Sequence, residues 1–127
     1  GAKLASPESR VISLVGDGSY LFANPSACAL LAAEYDAPTL TIVYDNQGWN
    51  AVEGATTAQY PEGAAAADAV PESHIETQMD LSAPATVVDA HTRVVDDPDE
   101  LLGALEDAVE AVESGIPAVL DVKVERP

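Results

Sequence analysis

Apolar residues in this chain gather in short runs of two kinds, and the two kinds alternate. Val11, Ile12, Leu14 and Val15 form a run that ends at Gly16-Asp17-Gly18, the pattern of a strand buried on both faces and closed by a tight turn. Asn24-Pro25 then predicts a helix to about Tyr35, with Asn24 as N-cap and Pro25 at the first helical position. That segment is rich in alanine and carries Leu30 and Leu31, so its neighbours can approach closely. Asp36-Ala37-Pro38 ends it, and Thr39 to Tyr44 (TLTIVY) reads as a second strand of the buried, β-branched type. Strand, helix and strand in that order make a βαβ unit.

From Glu53 to Met79 the periodicity weakens, over a stretch longer than the ~12–15 residues of a plain loop. A short helix is expected after Trp49, followed either by a mobile, lid-like segment or by a loosely packed surface excursion. Asp80 to Asp89 is expected to be helical despite Pro84, and Thr92 to Val95 a short strand. The last unit is clearer. Asp97 caps, Pro98 opens, and Leu101, Leu105, Ala108, Val109 and Val112 fall on one helical face at i, i+4, i+7, i+8 and i+11. Gly115 stops this helix, Pro117 prevents its resumption, and Ala118 to Val124 (AVLDVKV) is a final strand. The elements sum to an α/β fold: three layers, αβα, around a mostly parallel sheet.

Composition narrows the function. The 127 residues suit one domain, and a hydrophobic fraction of 47% is enough for a core. Against 22 Asp and Glu stand only 5 Lys and Arg, a formal net charge of -17. A field of that sign repels phosphate backbones and anionic lipid, which argues against nucleic-acid and membrane-surface roles. A disordered acidic chain would need low hydrophobicity, which this sequence lacks. Dense carboxylates with scarce lysine fit a halophilic protein, kept hydrated in concentrated salt that screens its self-repulsion. No apolar run approaches the ~20 residues of a membrane helix and no secretory signal opens the chain, so a cytoplasmic protein is expected. The single cysteine, Cys28, excludes an intrachain disulfide, and its Ala and Leu neighbours predict a buried thiol. Gly1 to Ser6 reads like the end of a helix cut in mid-element.

Two strands end in oxygen-bearing residues, Asp17 after the first and Asp45-Asn46 after the second. Neighbouring parallel strands deliver their carboxyl ends to one edge, where ligands of open α/β sheets bind, so Asp17 and Asn46 are expected to be neighbours in space. A carboxylate and an amide oxygen, with few other protein ligands, suit Mg²⁺ that shares its sphere with phosphate and water. Gly16 and Gly18 let the backbone come close to an anion, with the Gly18 and Ser19 amides as donors. A GDG turn alone is weak support for phosphate binding; the pairing with a second strand end strengthens it. Taken singly, Asp17 caps a turn and Asn46 makes an Asx-turn before Gly48, which leaves the pairing unexplained.

GDGSYLFANPSA, followed a helix later by TIVYDNQGWNAVE, resembles the two-part motif of thiamine-diphosphate-dependent enzymes, nearest the acetolactate-synthase-like group. The similarity continues through QYPEGAAA to PAVLDVKV. It implies a C-terminal diphosphate- and metal-binding domain fragment, residues 1–127, of a larger enzyme. The cofactors implied are thiamine diphosphate and Mg²⁺. By position, Asp17 and Asn46 ligate the metal by side chain and Gly48 by its carbonyl, while Gly18 and Ser19 hold the diphosphate. The substrate implied is a 2-oxo acid, decarboxylated or joined to another carbonyl. The implied partners are the remaining domains of the same enzyme, in a homodimer or homotetramer. The activating glutamate lies on another domain, so this chain carries no catalytic residue and is inactive alone. By the same resemblance, the strand and helix that precede the GDG strand in the family are expected to be missing from this fragment.

Two positions depart from the family pattern. Asp45 stands where the first asparagine of the pair is usual, which places an acid beside the metal. The interval between the two motif halves is also slightly long around Asn24-Pro25. Trp49 reads equally as a wall of the cofactor pocket or as an aromatic packed under a loop. His74 and His91 have no Cys, Asp or Glu at metal-ligand spacing and read as structural. The alternative function is a non-catalytic, doubly wound module that binds a phosphate ligand or nucleotide.

Overall fold

The computed structural model describes residues 1–67 and 73–126. Strands β1 (Ile12–Gly16), β2 (Leu40–Asp45), β3 (His91–Val95) and β4 (Ala118–Lys123) form one sheet in the order β1-β2-β4-β3, and every pairing is parallel. Helices α1 (Ala2–Ala5), α2 (Asp17–Phe22), α3 (Pro25–Glu34), α4 (Asn50–Gln59), α5 (Ala64–Ala67) and α6 (Leu101–Glu113) complete it, with a 3₁₀ helix over Ala83–Val88. The α/β architecture read from the alternating runs is the one observed. Among the described residues no helix is long and apolar enough to cross a membrane.

The order of connections explains the layers. The chain steps from β1 to β2 and on past β4 to β3, then back to β4. Right-handed crossovers that step in opposite directions must cover opposite faces of a sheet. Accordingly α6 packs on one face, where Ala104, Ala108 and Val112 meet Leu40, Ile42, Val95, Leu120 and Val122. On the other face Tyr20, Leu81 and Ala85 meet Val43 and Val119, with Ala29 of α3 against them. The carboxyl ends of β2 and β4 therefore lie where the winding reverses, the place at which open α/β sheets form a crevice.

Helix ends follow local chemistry. At α6, Gly115 takes φ +88°, the Ile116 amide donates to the Ala111 carbonyl at 2.9 Å, and the Gly115 amide donates to that of Val112 at 3.1 Å. That pair of bonds is a Schellman stop. Asp97 caps a 3₁₀ turn, Pro98–Glu100, its side chain accepting from the Asp99 amide at 2.9 Å; the expected helix start is thus this turn, and α6 itself begins at Leu101 with no side-chain cap. At α3 the same stop is built on Asp36 at φ 48°, with Ala37 donating to Ala32.

Four expectations need correction. β1 is not buried on both faces: Ile12 and Leu14 are 53% and 61% exposed. The strand has one described neighbour, β2, and α6 covers β3 and β4 instead of β1. Cys28 is exposed, its thiol turned to the Ala23 carbonyl at 3.3 Å, because α3 meets the sheet through Ala29. Asn24 precedes Pro25 of the helix as expected, but it adopts φ 53° and its side chain makes no cap. Between Asp80 and Asp89 only the 3₁₀ helix forms, since the Asp80 carboxylate draws the amides of Ser82 and Ala83 into a turn just ahead of Pro84. The helix expected after Trp49 is α4; the lid reading of the 53–79 stretch falls partly on residues 68–72, outside the described residues.

Candidate functional site

β1 and β2 run in register from Ile12 beside Leu40 to Gly16 beside Tyr44, so Asp17 and Asp45-Asn46 emerge together at one sheet edge. Asp17 opens α2 and is 2% exposed. One of its oxygens accepts the Gly18 amide and the other the Gly48 amide, each at 2.8 Å. The two halves of the motif are thus joined by one carboxylate. Gly18 is buried and its amide is engaged by Asp17, whereas Ser19 is exposed.

The loop after β2 is held from several sides. Gln47 adopts φ 61°, a left-handed conformation that costs a residue with a Cβ about 1 kcal/mol or more. Its amide donates to Asp45 at 2.9 Å, and its carbonyl accepts from the Ile75 amide at 2.8 Å. Gly48 forms an antiparallel bridge with His74, flanked by a 2.8 Å bond from the Trp49 amide to the Ser73 carbonyl. A Cβ at Gly48 would collide with that Ser73 oxygen, so the close approach needs glycine. Arg126, beyond β4, donates to the Asn46 carbonyl at 2.8 Å and also to that of Gln47. His74 lies 3.4 Å from Glu53 and 3.3 Å from Arg126, partners that sequence spacing did not bring to it.

Trp49 lies directly on the GDG turn: a Cβ at Gly18 would sit 2.5 Å from indole Cδ1 and Nε1. Phe22 meets the same ring edge-to-face, with centroids 6.2 Å apart. Trp49 is thus packed against the GDG turn, in keeping with the reading of an aromatic packed under a loop.

Beside the motif, Lys123 donates to Asp45 at 2.5 Å, to Asp121 at 2.8 Å and to the Met79 carbonyl at 2.9 Å. Asp121, 0% exposed, also accepts the Leu81 amide at 2.8 Å. Burial pushes the Asp121 carboxyl above the usual carboxylate range, against the pull of Lys123 and the Leu81 amide. Burial alone would lower Lys123, but its bonds to Asp121 and Asp45 outweigh it and hold the ammonium above its ordinary range. Sequence reasoning missed Asp121, Lys123 and Arg126. The hint was present in AVLDVKV, where two charged residues at i and i+2 interrupt an otherwise apolar strand on one face.

These features agree with the comparison to known families. A family model described as thiamine pyrophosphate enzyme, C-terminal TPP binding domain, matches residues 1–122. The chain belongs to this family. Thiamine pyrophosphate is another name for thiamine diphosphate, so the chain is a thiamine-diphosphate-binding domain. It is similar in fold to a solved structure, the thiamine diphosphate-dependent 4-hydroxybenzoylformate decarboxylase of Rhodococcus jostii RHA1, with a TM-score of 0.79 at 22% identity. The match covers 99% of this chain and 22% of that one, so the domain spans about a fifth of the length of its solved relative.

The residues of this thiamine-diphosphate-binding domain fit a cation on one internal test. The Asn46 side-chain oxygen is buried without a hydrogen-bond partner among the described residues, an arrangement that costs about 1–3 kcal/mol unless a cation or donor meets it. Among the described residues no three His, Cys, Asp or Glu side chains gather as a metal cage. The donor set offered is instead one carboxylate, one amide oxygen and one carbonyl, the hard and sparse kind that suits Mg²⁺ shared with phosphate.

Proposed function

We propose that this domain holds the diphosphate of thiamine diphosphate through Mg²⁺, with Asp17 and Asn46 as side-chain ligands and Gly48 as a carbonyl ligand. Gly18 and Ser19 sit at the diphosphate. The unsatisfied, buried Asn46 oxygen at the same strand edge as the nearly sealed Asp17 carries this reading. When bound, thiamine diphosphate supplies the electron sink for chemistry on 2-oxo acids, while protein groups supply placement. Asp17 orders the GDG turn and the Asn46 loop against each other; Trp49 walls the turn and keeps water from Gly18.

Residues 1–127 then serve as the C-terminal part of a larger, cytoplasmic, halophilic enzyme that resembles acetolactate synthase and decarboxylates 2-oxo acids, joins them to another carbonyl, or both. Its other domains, in a homodimer or homotetramer, contribute the activating acid. Decarboxylation is the activity named for the Rhodococcus relative, which favours 2-oxo acids as the substrate class.

Titration calorimetry with thiamine diphosphate, with and without Mg²⁺, tests the binding role. Saturable, metal-dependent binding, lost in Asn46→Ala, is expected; metal-independent binding, or preference for a nucleoside diphosphate, would return the domain to the class of general phosphate-binding modules. The purified chain given pyruvate, cofactor and Mg²⁺ should release no carbon dioxide above a cofactor-only blank.

A further inference from the structure

Asp45 lies directly before a proposed metal ligand, and Asp121 lies two residues before Lys123 on the neighbouring strand. Parallel pairing sets Asp45 beside Lys123 and Val43 beside Asp121, so both carboxylates reach the same ammonium. They are 5% and 0% exposed, respectively, and the only cation touching either among the described residues is Lys123. An ammonium has three donors, and here all three are used, on Asp45, Asp121 and the Met79 carbonyl. The other Asp45 oxygen accepts the Gln47 amide, which props a residue in its left-handed conformation immediately ahead of Gly48. Gly48 in turn donates to Asp17. A continuous line of bonds runs from the sheet centre through Lys123, Asp45, Gln47 and Gly48 to the GDG turn.

We propose that Lys123 is a positioning residue for the cofactor-binding loop: by neutralising Asp45 between two buried carboxylates, it holds Asp45 on the Gln47 amide and thereby sets Asn46 and Gly48. Both Asp45 oxygens are engaged in this arrangement, one by Lys123 and one by the Gln47 amide. Without the ammonium, two buried like charges face each other with little water to screen them, and the side chain free to move is Asp45, at the strand end. It swings outward, the Gln47 amide loses its acceptor, and the loop relaxes. The inference rests on the proposed cation site, but the ordering of the loop is measurable without any ligand.

The experiment compares, in the full-length protein, Lys123→Met, Asp45→Asn and a combined variant that carries both together with Asp121→Asn, so that no buried carboxylate is left without its cation. In the ligand-free state, amide exchange at Gln47 and Gly48 should quicken at least tenfold in Lys123→Met, while Leu120 in the sheet centre stays unchanged. Mg²⁺-dependent affinity for thiamine diphosphate should fall tenfold or more. The combined variant, in which an asparagine still accepts from Gln47 and neither buried position needs a counter-charge, should recover both quantities to within threefold. Exchange that quickens everywhere equally, or a combined variant as impaired as Lys123→Met, would overturn the proposal by showing a merely global effect. If Lys123→Met does not fold, the combined variant decides: recovered folding and affinity support the charge compensation, and their absence refutes it. Wild-type protein that shows no metal-dependent binding, with the exchange pattern as expected, would remove the cation site while leaving the ordering role of Lys123 intact.

Discussion

Asp17 accepts the amide hydrogen of Gly48 at 2.8 Å across 31 residues of sequence. Because its other oxygen accepts the Gly18 amide, one carboxylate ties the turn after β1 to the loop after β2. The same side chain is thus a structural acceptor and a proposed metal ligand, and the two roles separate by substitution.

Asp17→Ala leaves the Gly18 and Gly48 amides buried without acceptors, so unfolding free energy should fall by about 2–4 kcal/mol. Asp17→Asn keeps an oxygen acceptor and should lose less, yet it removes the charge and should abolish metal-dependent cofactor binding. Denaturant titration and calorimetry read the two effects. An Asp17→Asn protein with full Mg²⁺-dependent affinity would show that Asp17 is only structural.

Gly48→Ala places a methyl group onto the Ser73 carbonyl oxygen. The bridge to His74 must open, weakening the bonds from Trp49 to Ser73 and from Ile75 to Gln47. A loss of about 1–3 kcal/mol and at least tenfold weaker cofactor binding are expected. A melting temperature equal to wild type would mean that the Ser73 segment yields freely and does not hold the loop.

Tyr20 makes stability sensitive to alkali. Burial first, then the nearby Cys28, Asp121 and Asp80, raises its phenol from 10.0 to about 12. Between those values the unfolded chain gives up the proton while the folded chain keeps it, so stability is fully present below pH 10 and falls as pH rises towards 12. Tyr20→Phe should flatten this part of the curve by about 1–2 kcal/mol relative to wild type. Parallel wild-type and Tyr20→Phe curves over that range would refute the assignment.

Salt supplies a test of the acidic surface. With a formal charge of -17, self-repulsion should weaken the fold in dilute buffer, and added KCl should raise the melting temperature until screening is complete. Identical melting at low and molar salt would remove the halophilic reading.

Patterns confined to one element were legible in the sequence. The apolar stripe and the Gly115 stop of α6 concern neighbours within a few turns, and the GDG and DN strand ends required only that β1 and β2 be adjacent and parallel. What stayed hidden depended on lateral neighbours. An apolar run such as Val11 to Val15 looks the same at a sheet edge as at its centre, so the exposure of Ile12 and Leu14 had no local mark. The Asp45–Lys123 pair needed β4 to lie beside β2 in one register, and the grip of Ser73 and Arg126 on the loop joins segments with no sequence pattern in common. Asp80 won over helix propensity because a carboxylate two and three residues ahead of free amides makes a turn without waiting for a full helical nucleus.

The unequal lateral support of β1 and β2 bears on how the domain opens. β2 is bonded to a strand on each side and buried along most of its length, whereas β1, among the described residues, is bonded to β2 alone and is largely exposed. Local opening free energy follows such packing, so in residues 1–127 taken by themselves β1 belongs to a low-energy unfolding unit and β2 to the last one to open. The GDG turn and the Asn46 loop, though they meet through Asp17, thus hang from parts of the sheet that breathe on different timescales. A ligand that joins them stiffens the weaker strand by fastening it to the stronger.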